Sequence, residues 1–205
     1  MRFLTTLSLA VLCLMLAVAP ASASTLYSNG PINGTIDAYT INFGYQVTDS
    51  FTLTSGATVT NVDNIGLWLF PGDKPLTVDW SITSQPFGGT VYGSGTANFS
   101  SQFLYTNGYG YDIYSGMITF PGVNLGAGTY YIELQNATTA QSNPLYWDQN
   151  NGASLAYDSA LGQIPSESFE ITGGSNSGVP EPASLFMLGS GLLGLGGLVR
   201  KRMKA

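Results

Sequence analysis

Apolar and polar residues alternate with a period of two along several stretches of this chain. In residues 76–83 (LTVDWSIT) and 129–135 (TYYIELQ), apolar side chains occupy every second position. Such alternation is typical of a strand with one buried and one exposed face. Further runs of this kind cover residues 50–54 and 64–70, and shorter candidates cover residues 35–43, 90–99, 112–120 and 168–172.

Turn residues separate these runs and complete the pattern of an all-β domain. No stretch of residues 24–178 carries a 3.6-residue apolar stripe, so helices are not expected there. About eight to ten short strands with two-sided patterning predict two antiparallel sheets packed face to face, a jelly-roll-like β-sandwich. The predicted turns lie at Asn33-Gly34, Pro71-Gly72-Asp73, Gly88-Gly89, Asn107-Gly108, Pro121-Gly122 and Asn151-Gly152.

The first 23 residues have the features of a secretory signal peptide. Arg2 precedes an apolar run over residues 7–19, and Ala21-Ser22-Ala23 forms an A-x-A cleavage site. A retained anchor helix is the rival interpretation, but the run is short and the cleavage site follows at once. Cleavage after Ala23 would remove Cys13, the only cysteine. We therefore predict a signal peptide at residues 1–23, a β-sandwich at 24–174, a linker at 175–178 and a C-terminal tail at 179–205.

The predicted mature domain is strongly acidic. Lys74 is its only basic residue, and it contains neither histidine nor cysteine. Nucleic-acid binding requires cations that replace phosphate counterions, so this class of function is excluded. Without histidine, a serine nucleophile would need a lysine base, and a glycosidase would need a carboxylate pair that the sequence does not reveal. We therefore expect a protein that is not an enzyme and that folds without disulfides.

The C-terminal tail combines a rigid tripeptide, an apolar stretch and a basic end. Residues 183–199 carry no charge and would form a transmembrane helix of roughly 25 Å, close to the lower limit for a membrane span. The prolines of Pro180-Glu181-Pro182 hold the preceding backbone extended. A cytoplasmic basic anchor follows the apolar stretch and consists of Arg200, Lys201, Arg202 and Lys204.

This ordered combination resembles the PEP-CTERM protein-sorting signal of Gram-negative bacteria. The motif falls on Val179, Pro180, Glu181 and Pro182, followed by Ala183-Ser184, the glycine-rich apolar stretch and the basic end. The resemblance implies processing by exosortase, a membrane cysteine protease-like enzyme. It also implies secretory export, a transient inner-membrane anchor, a cell-surface or extracellular destination and an association with extracellular polysaccharide. The domain itself is similar to uncharacterised PEP-CTERM proteins at residues 71–73 (PGD), 128–131 (GTYY), 146–152 (YWDQNNG) and 164–167 (IPSE).

The YWDQNNG stretch suggests a cation site as one alternative to a plain turn. Asp148 and Asn150 are the candidate metal ligands because calcium prefers hard oxygen donors in such loops. The spacing does not match an EF-hand, since glycine comes one position early and no glutamate closes the loop. No cofactor is otherwise expected, and calcium stays an open alternative.

Aromatic residues provide candidate sugar contacts. Tyr146 and Trp147 could stack on a sugar ring, or they could belong to the core. Tyr109 and Tyr111, in a glycine-rich stretch that also holds Tyr105 and Tyr114, could line a binding surface or cover one end of the core. The first hypothesis is a non-enzymatic cell-surface or extracellular-matrix protein that associates with exopolysaccharide. The alternative is a carbohydrate-binding module with a defined site, for which calcium dependence stays open.

Overall fold

The computed structural model describes residues 23–175, and all regular secondary structure in this range is β. The predictions for the signal peptide, the transmembrane helix and the sorting tail lie outside the described residues. The strands are β1 (Ser24–Ser28), β2 (Ala38–Thr40), β3 (Gln46–Leu53), β4 (Ala57–Leu69), β5 (Pro75–Gln85), β6 (Gly88–Thr106), β7 (Asp112–Leu125), β8 (Gly128–Thr139), β9 (Tyr146–Asp148), β10 (Ala156–Asp158), β11 (Gly162–Ile164) and β12 (Glu170–Ser175).

The strands form one curled antiparallel sheet that folds over itself as two layers. Its order is β1-β12-β4-β7-β6-β5-β8-β3-β10-β11, with β9 paired to β4 and β2 paired to β9. The long strand β6 connects the layers: residues 88–98 pair with β5, and residues 99–106 pair with β7. This arrangement confirms the predicted all-β antiparallel class.

Alternation along the strands produces the core between the layers. In β5, Val78, Trp80 and Ile82 are buried, and in β8 the buried residues include Ile132 and Leu134. Both strands contain the predicted runs and pair with each other. The regularity of the apolar positions thus placed these two strands correctly from the sequence, because side chains of period two necessarily share one face.

Three of the sequence expectations about individual segments are wrong. Gly88-Gly89 is not a turn but the start of β6, and the turn lies at Pro86-Phe87. The strand expected over residues 35–43 shortens to the three residues of β2. Pro121-Gly122 is not a turn between strands but lies within β7, where the register with β4 shifts between the Val59–Val123 and Asn61–Thr119 pairs. A bulge there absorbs the proline, which has no N–H to donate to a ladder.

One end of the fold is assembled from segments far apart in sequence. Residues 148–150 lie against residues 166–168, with Gln149 and Glu167 as a bridged pair. The N–H of Asn150 donates to Ser166 O, and the N–H of Ser168 donates to Asp148 O. The loop that follows β1 covers this end, where the N–H of Asn29 donates to Phe169 O. This end carries most of the buried polar residues discussed below.

Candidate functional site

Five aromatic side chains form a continuous cluster, which we call the aromatic patch: Trp68, Phe70, Tyr109, Tyr111 and Tyr146. Trp68 stacks on Tyr109, with ring centroids 5.9 Å apart and planes inclined by 20°. Tyr111 contacts three other members, with centroid distances of 5.7 Å to Trp68, 5.3 Å to Phe70 and 5.7 Å to Tyr146. Tyr109 is 65% exposed, whereas Trp68 beneath it is only 5% exposed. The aromatic patch is therefore an exposed aromatic surface, and the indole of Trp68 that lies under it is buried.

Strand pairing brings the two ends of the patch together. Trp68 in β4 is paired directly with Tyr146 in β9, so their side chains leave the sheet on the same face. The neighbouring residues Leu67 and Trp147 form the next pair and are completely buried on the opposite face. Alternation along each strand thus separates an outward aromatic pair from an inward apolar one.

A tight turn between β6 and β7 presents the two patch tyrosines. The side-chain oxygen of Asn107 accepts the N–H groups of Tyr109 and Tyr111, each at 3.0 Å. Gly110 in this turn has a φ of 83°, a conformation that favours glycine. The Asn107 amide also donates to Gly34 O at 3.0 Å, which ties the turn to the loop after β1. The rings are therefore held by a defined turn and not by a free loop.

Asp148 supports the patch from below. Its fully buried carboxylate accepts the indole N–H of Trp68 at 2.6 Å and the N–H groups of Asn33 and Gly34 at 2.7 and 2.8 Å. The Ser168 hydroxyl donates at 3.3 Å. Burial raises the pKa of Asp148, while these hydrogen bonds act in the opposite direction. Each of these contacts is a hydrogen bond donated to Asp148. The carboxylate therefore fixes the position of the Trp68 indole and of the loop at residues 33–34.

The aromatic residues named from the sequence divide into exposed and buried groups. Tyr109, Tyr111 and Tyr146 meet in the aromatic patch. Trp147 has no exposed surface, packs against Phe169 and donates its indole N–H to Ser168 O, so it offers no face to a ligand in this structure. Sequence reasoning missed Trp68 and Phe70 as members of the patch. The sequence contained this information, because Trp68 alternates with Leu67 and Leu69. Once the two leucines face the core, Trp68 must lie on the outer face of β4.

The two candidate metal ligands have their oxygen atoms engaged by protein donors. Asp148 is saturated as described above. The side-chain oxygen of Asn150 accepts the N–H of Gly152 and the hydroxyl of Ser166, both at 2.8 Å, and its amide donates to Asn29 O. Within residues 23–175, no three acidic, histidine or cysteine side chains converge as a metal cluster. Calcium at Asp148 and Asn150 therefore stays a prediction without free ligand atoms in this structure.

A cleft with polar and apolar lining lies beside these residues. It has a volume of about 360 Å³ and is lined by residues 29–33 and 150–152. Asn33 and Gly34 also bind Asp148, so the loop that forms one wall of the cleft is the same loop that connects to the aromatic patch. The side-chain amides of Asn33 and Asn151, which are not buried, give the cleft donors and acceptors of the kind that bind hydroxyl groups.

The comparison with protein families concerns the C-terminal tail. Residues 178–202 match the model of the PEP-CTERM protein-sorting motif. The chain is therefore of the class of exported proteins that carry a C-terminal sorting signal handled by an exosortase. It is a PEP-CTERM sorting domain-containing protein, as the tail sequence predicted. No curated protein matches the chain. Across residues 23–175, no helix has the length and apolar character needed to span a membrane.

Proposed function

We propose that this protein is a non-enzymatic component of the cell surface or extracellular matrix that associates with exopolysaccharide. The observation that supports this most directly is the aromatic patch, whose rings form an exposed surface anchored by Trp68. Aromatic rings bind the apolar faces of sugars, and side chains held in place before binding lose little entropy. Export through the sorting signal brings such a surface to the compartment where polysaccharide accumulates.

The charge of the domain favours a neutral polysaccharide. Lys74 is the only basic residue among residues 23–175, so an acidic glycan would be repelled unless cations bridged it to the protein. The aromatic patch itself contains no charged side chain. Stacking and hydroxyl hydrogen bonds, which neutral sugars offer, are the interactions that this surface can make.

The absence of a catalytic role is part of the proposal. Lys74, the one candidate base for a serine nucleophile, is exposed in the turn before β5. The carboxylates of Asp49, Asp148 and Glu167 are completely buried, where a polysaccharide has no access. These placements support a binding role over hydrolysis.

The test is binding of the full-length chain, purified in detergent, to immobilised neutral and acidic polysaccharides, with and without chelator. Tyr109→Ala removes the exposed ring that stacks on Trp68, and we expect it to weaken binding about 3- to 10-fold. Tyr45→Ala is the matched control because Tyr45 is also exposed but lies outside the aromatic patch. Equal binding by the two variants would argue against the aromatic patch as the sugar contact.

The same experiment separates this role from the alternative of a carbohydrate-binding module with a defined site. Saturable binding to one glycan that disappears with chelator would favour the calcium-dependent module. Chelator-independent binding to a range of neutral polysaccharides would favour the matrix role. A complete lack of binding would contradict both.

A further inference from the structure

Glu167 is a buried carboxylate without a hydrogen-bond partner. Its side chain is 0% exposed, and neither Oε1 nor Oε2 has a partner among the described residues. Buried polar groups are almost always paired, and an isolated buried charge destabilises a fold by several kcal/mol or more. The environment of Glu167 therefore requires a compensating group.

Other acids surround Glu167 and intensify this requirement. Burial, followed by the charges of Asp49, Asp148, Asp37 and Asp158, raises the pKa of Glu167 well above its ordinary value. Asp49 is tied directly to it, since the main-chain N–H of Glu167 donates to Asp49 Oδ2 at 2.7 Å. Lys74, the only base among residues 23–175, does not appear among the charges that act on Glu167. The region thus has a concentration of negative charge that the protein does not neutralise.

A neutral polar side chain, that of Gln149, lies opposite Glu167. Gln149 is directly opposite Glu167 in the bridge, so their Cβ atoms are about 4.5–5.5 Å apart and their side chains share one face. The Gln149 Oε1 atom accepts the hydroxyl of Tyr39 at 3.3 Å. Burial raises the pKa of Tyr39, and so do the charges of Asp37, Glu167 and Asp158, which puts the phenol in the same acidic environment.

A proton would remove the charge of Glu167 and would let one carboxyl oxygen donate a hydrogen bond, but it would leave the other oxygen without a donor and would not offset the surrounding acids. The nearby phenol of Tyr39 already donates to Gln149 and not to the carboxylate. A hard cation would be bound by both carboxylate oxygens and would also offset the surrounding acids. We propose that Glu167 is the carboxylate ligand of a buried divalent cation of the calcium type, whose coordination is completed by Gln149 Oε1 and water.

This site differs from the cation site expected at Asp148 and Asn150, whose oxygen atoms each accept two protein donors, whereas Gln149 Oε1 accepts one and the Glu167 oxygens accept none. No three acidic side chains converge among residues 23–175, so neutral oxygens and water make up the remaining ligands, as calcium accepts. Asn29 lies between the cleft of residues 29–33 and 150–152 and the segment that carries Glu167. Asn29 lines that cleft and donates its side-chain amide to both Asp49 Oδ2 and Glu167 O, at 3.2 and 2.6 Å.

The experiment uses the full-length chain, purified in detergent and treated with chelator. Calcium is then added to 10 mM, and thermal unfolding is followed by circular dichroism. Binding with a Kd of about 0.1–1 mM, typical of extracellular modules, would raise Tm by about 3–10 °C. Glu167→Gln should abolish this calcium-dependent rise while leaving the variant at least as stable as the wild type in chelator, because it removes the unpaired charge.

Glu170→Gln is the matched control. It makes the same chemical change three residues along the chain, where the carboxylate accepts the Ser28 hydroxyl at the surface. We expect this variant to keep the full calcium response. Terbium bound to the wild type should also show luminescence sensitised by Tyr39, and this signal remains informative if Glu167→Gln does not fold.

Three outcomes would overturn the proposal. The first is a wild-type Tm that calcium does not change, and the second is a calcium response that Glu167→Gln retains. The third is terbium bound without sensitised luminescence. Stabilisation by Glu167→Gln without any calcium response would show that Glu167 simply carries a proton in the folded state. None of these results depends on polysaccharide binding, so this proposal and the proposed function can fail separately.

Discussion

The Asp148→Asn substitution tests whether one buried carboxylate holds the aromatic patch to the loop of residues 33–34. In the wild type, Oδ1 accepts the indole N–H of Trp68 and the N–H of Gly34, and Oδ2 accepts the N–H of Asn33 and the hydroxyl of Ser168. Asparagine has the same shape but only one oxygen. Whichever way its amide is turned, an NH2 group faces at least one main-chain or indole N–H.

The loss of stability caused by Asp148→Asn depends on which way the new amide is turned, and we consider the more favourable of its two orientations. With the oxygen at the Oδ1 position, the bonds from Gly34 and Trp68 survive, and the Ser168 hydroxyl can rotate to accept. The N–H of Asn33 is then left unsatisfied, at a cost of about 1–3 kcal/mol. The two surviving bonds lose the strength that a charged acceptor gives them, while the cost of burying a charge disappears. We expect a net destabilisation of about 2–4 kcal/mol.

The assay is urea unfolding at pH 7, followed by tryptophan fluorescence. With a slope of about 2 kcal/mol/M, the midpoint should fall by roughly 1–2 M and the slope should not change. Asp63→Asn is the control, because that half-buried carboxylate accepts the N–H of its neighbour Asn64. Equal midpoints for the two variants would refute the argument that donors converging on Asp148 stabilise this end of the fold.

Two further predictions concern pH and sorting. Burial raises the pKa of Asp49 from 3.8 to about 7, so the folded state binds a proton that the unfolded state releases between these values. Asp49 alone should therefore make the stability measured in chelator fall by up to roughly 4 kcal/mol as pH rises from about 4 to 7. Asp49→Asn should make the decline smaller, while the raised pKa of Glu167 contributes a decline of the same sign. Urea midpoints that rise over the same interval, or an equally steep decline in Asp49→Asn, would contradict this. Replacing Pro180-Glu181-Pro182 with alanines should leave the protein uncleaved in the inner membrane, as seen by fractionation and immunoblotting, and normal release of that variant would oppose the sorting role of the tripeptide.

The sequence carried enough information for the fold class and for the cellular handling of the protein. Alternation in residues 76–83 and 129–135 depends only on which neighbours along the chain are apolar, so it identified β5 and β8 directly. The tail motif is likewise a local feature, because Pro180-Glu181-Pro182 is read together with the residues that follow it. Both are properties of short contiguous segments, which a sequence displays without any knowledge of tertiary contacts.

Tertiary structure decided which side chains meet. Tyr146 and Trp147 are adjacent and equally aromatic, yet pairing with Trp68 and Leu67 sends one outward and the other into the core. Glu167 lies in an ordinary polar stretch, and only its bridge to Gln149 reveals a carboxylate enclosed without a partner. The alternation of a strand fixes two faces but does not say which of them is buried or what lies across from it. Pairing between segments distant in sequence decides which face is buried and what lies opposite it. This pairing determines both the aromatic patch and the enclosed carboxylate of Glu167.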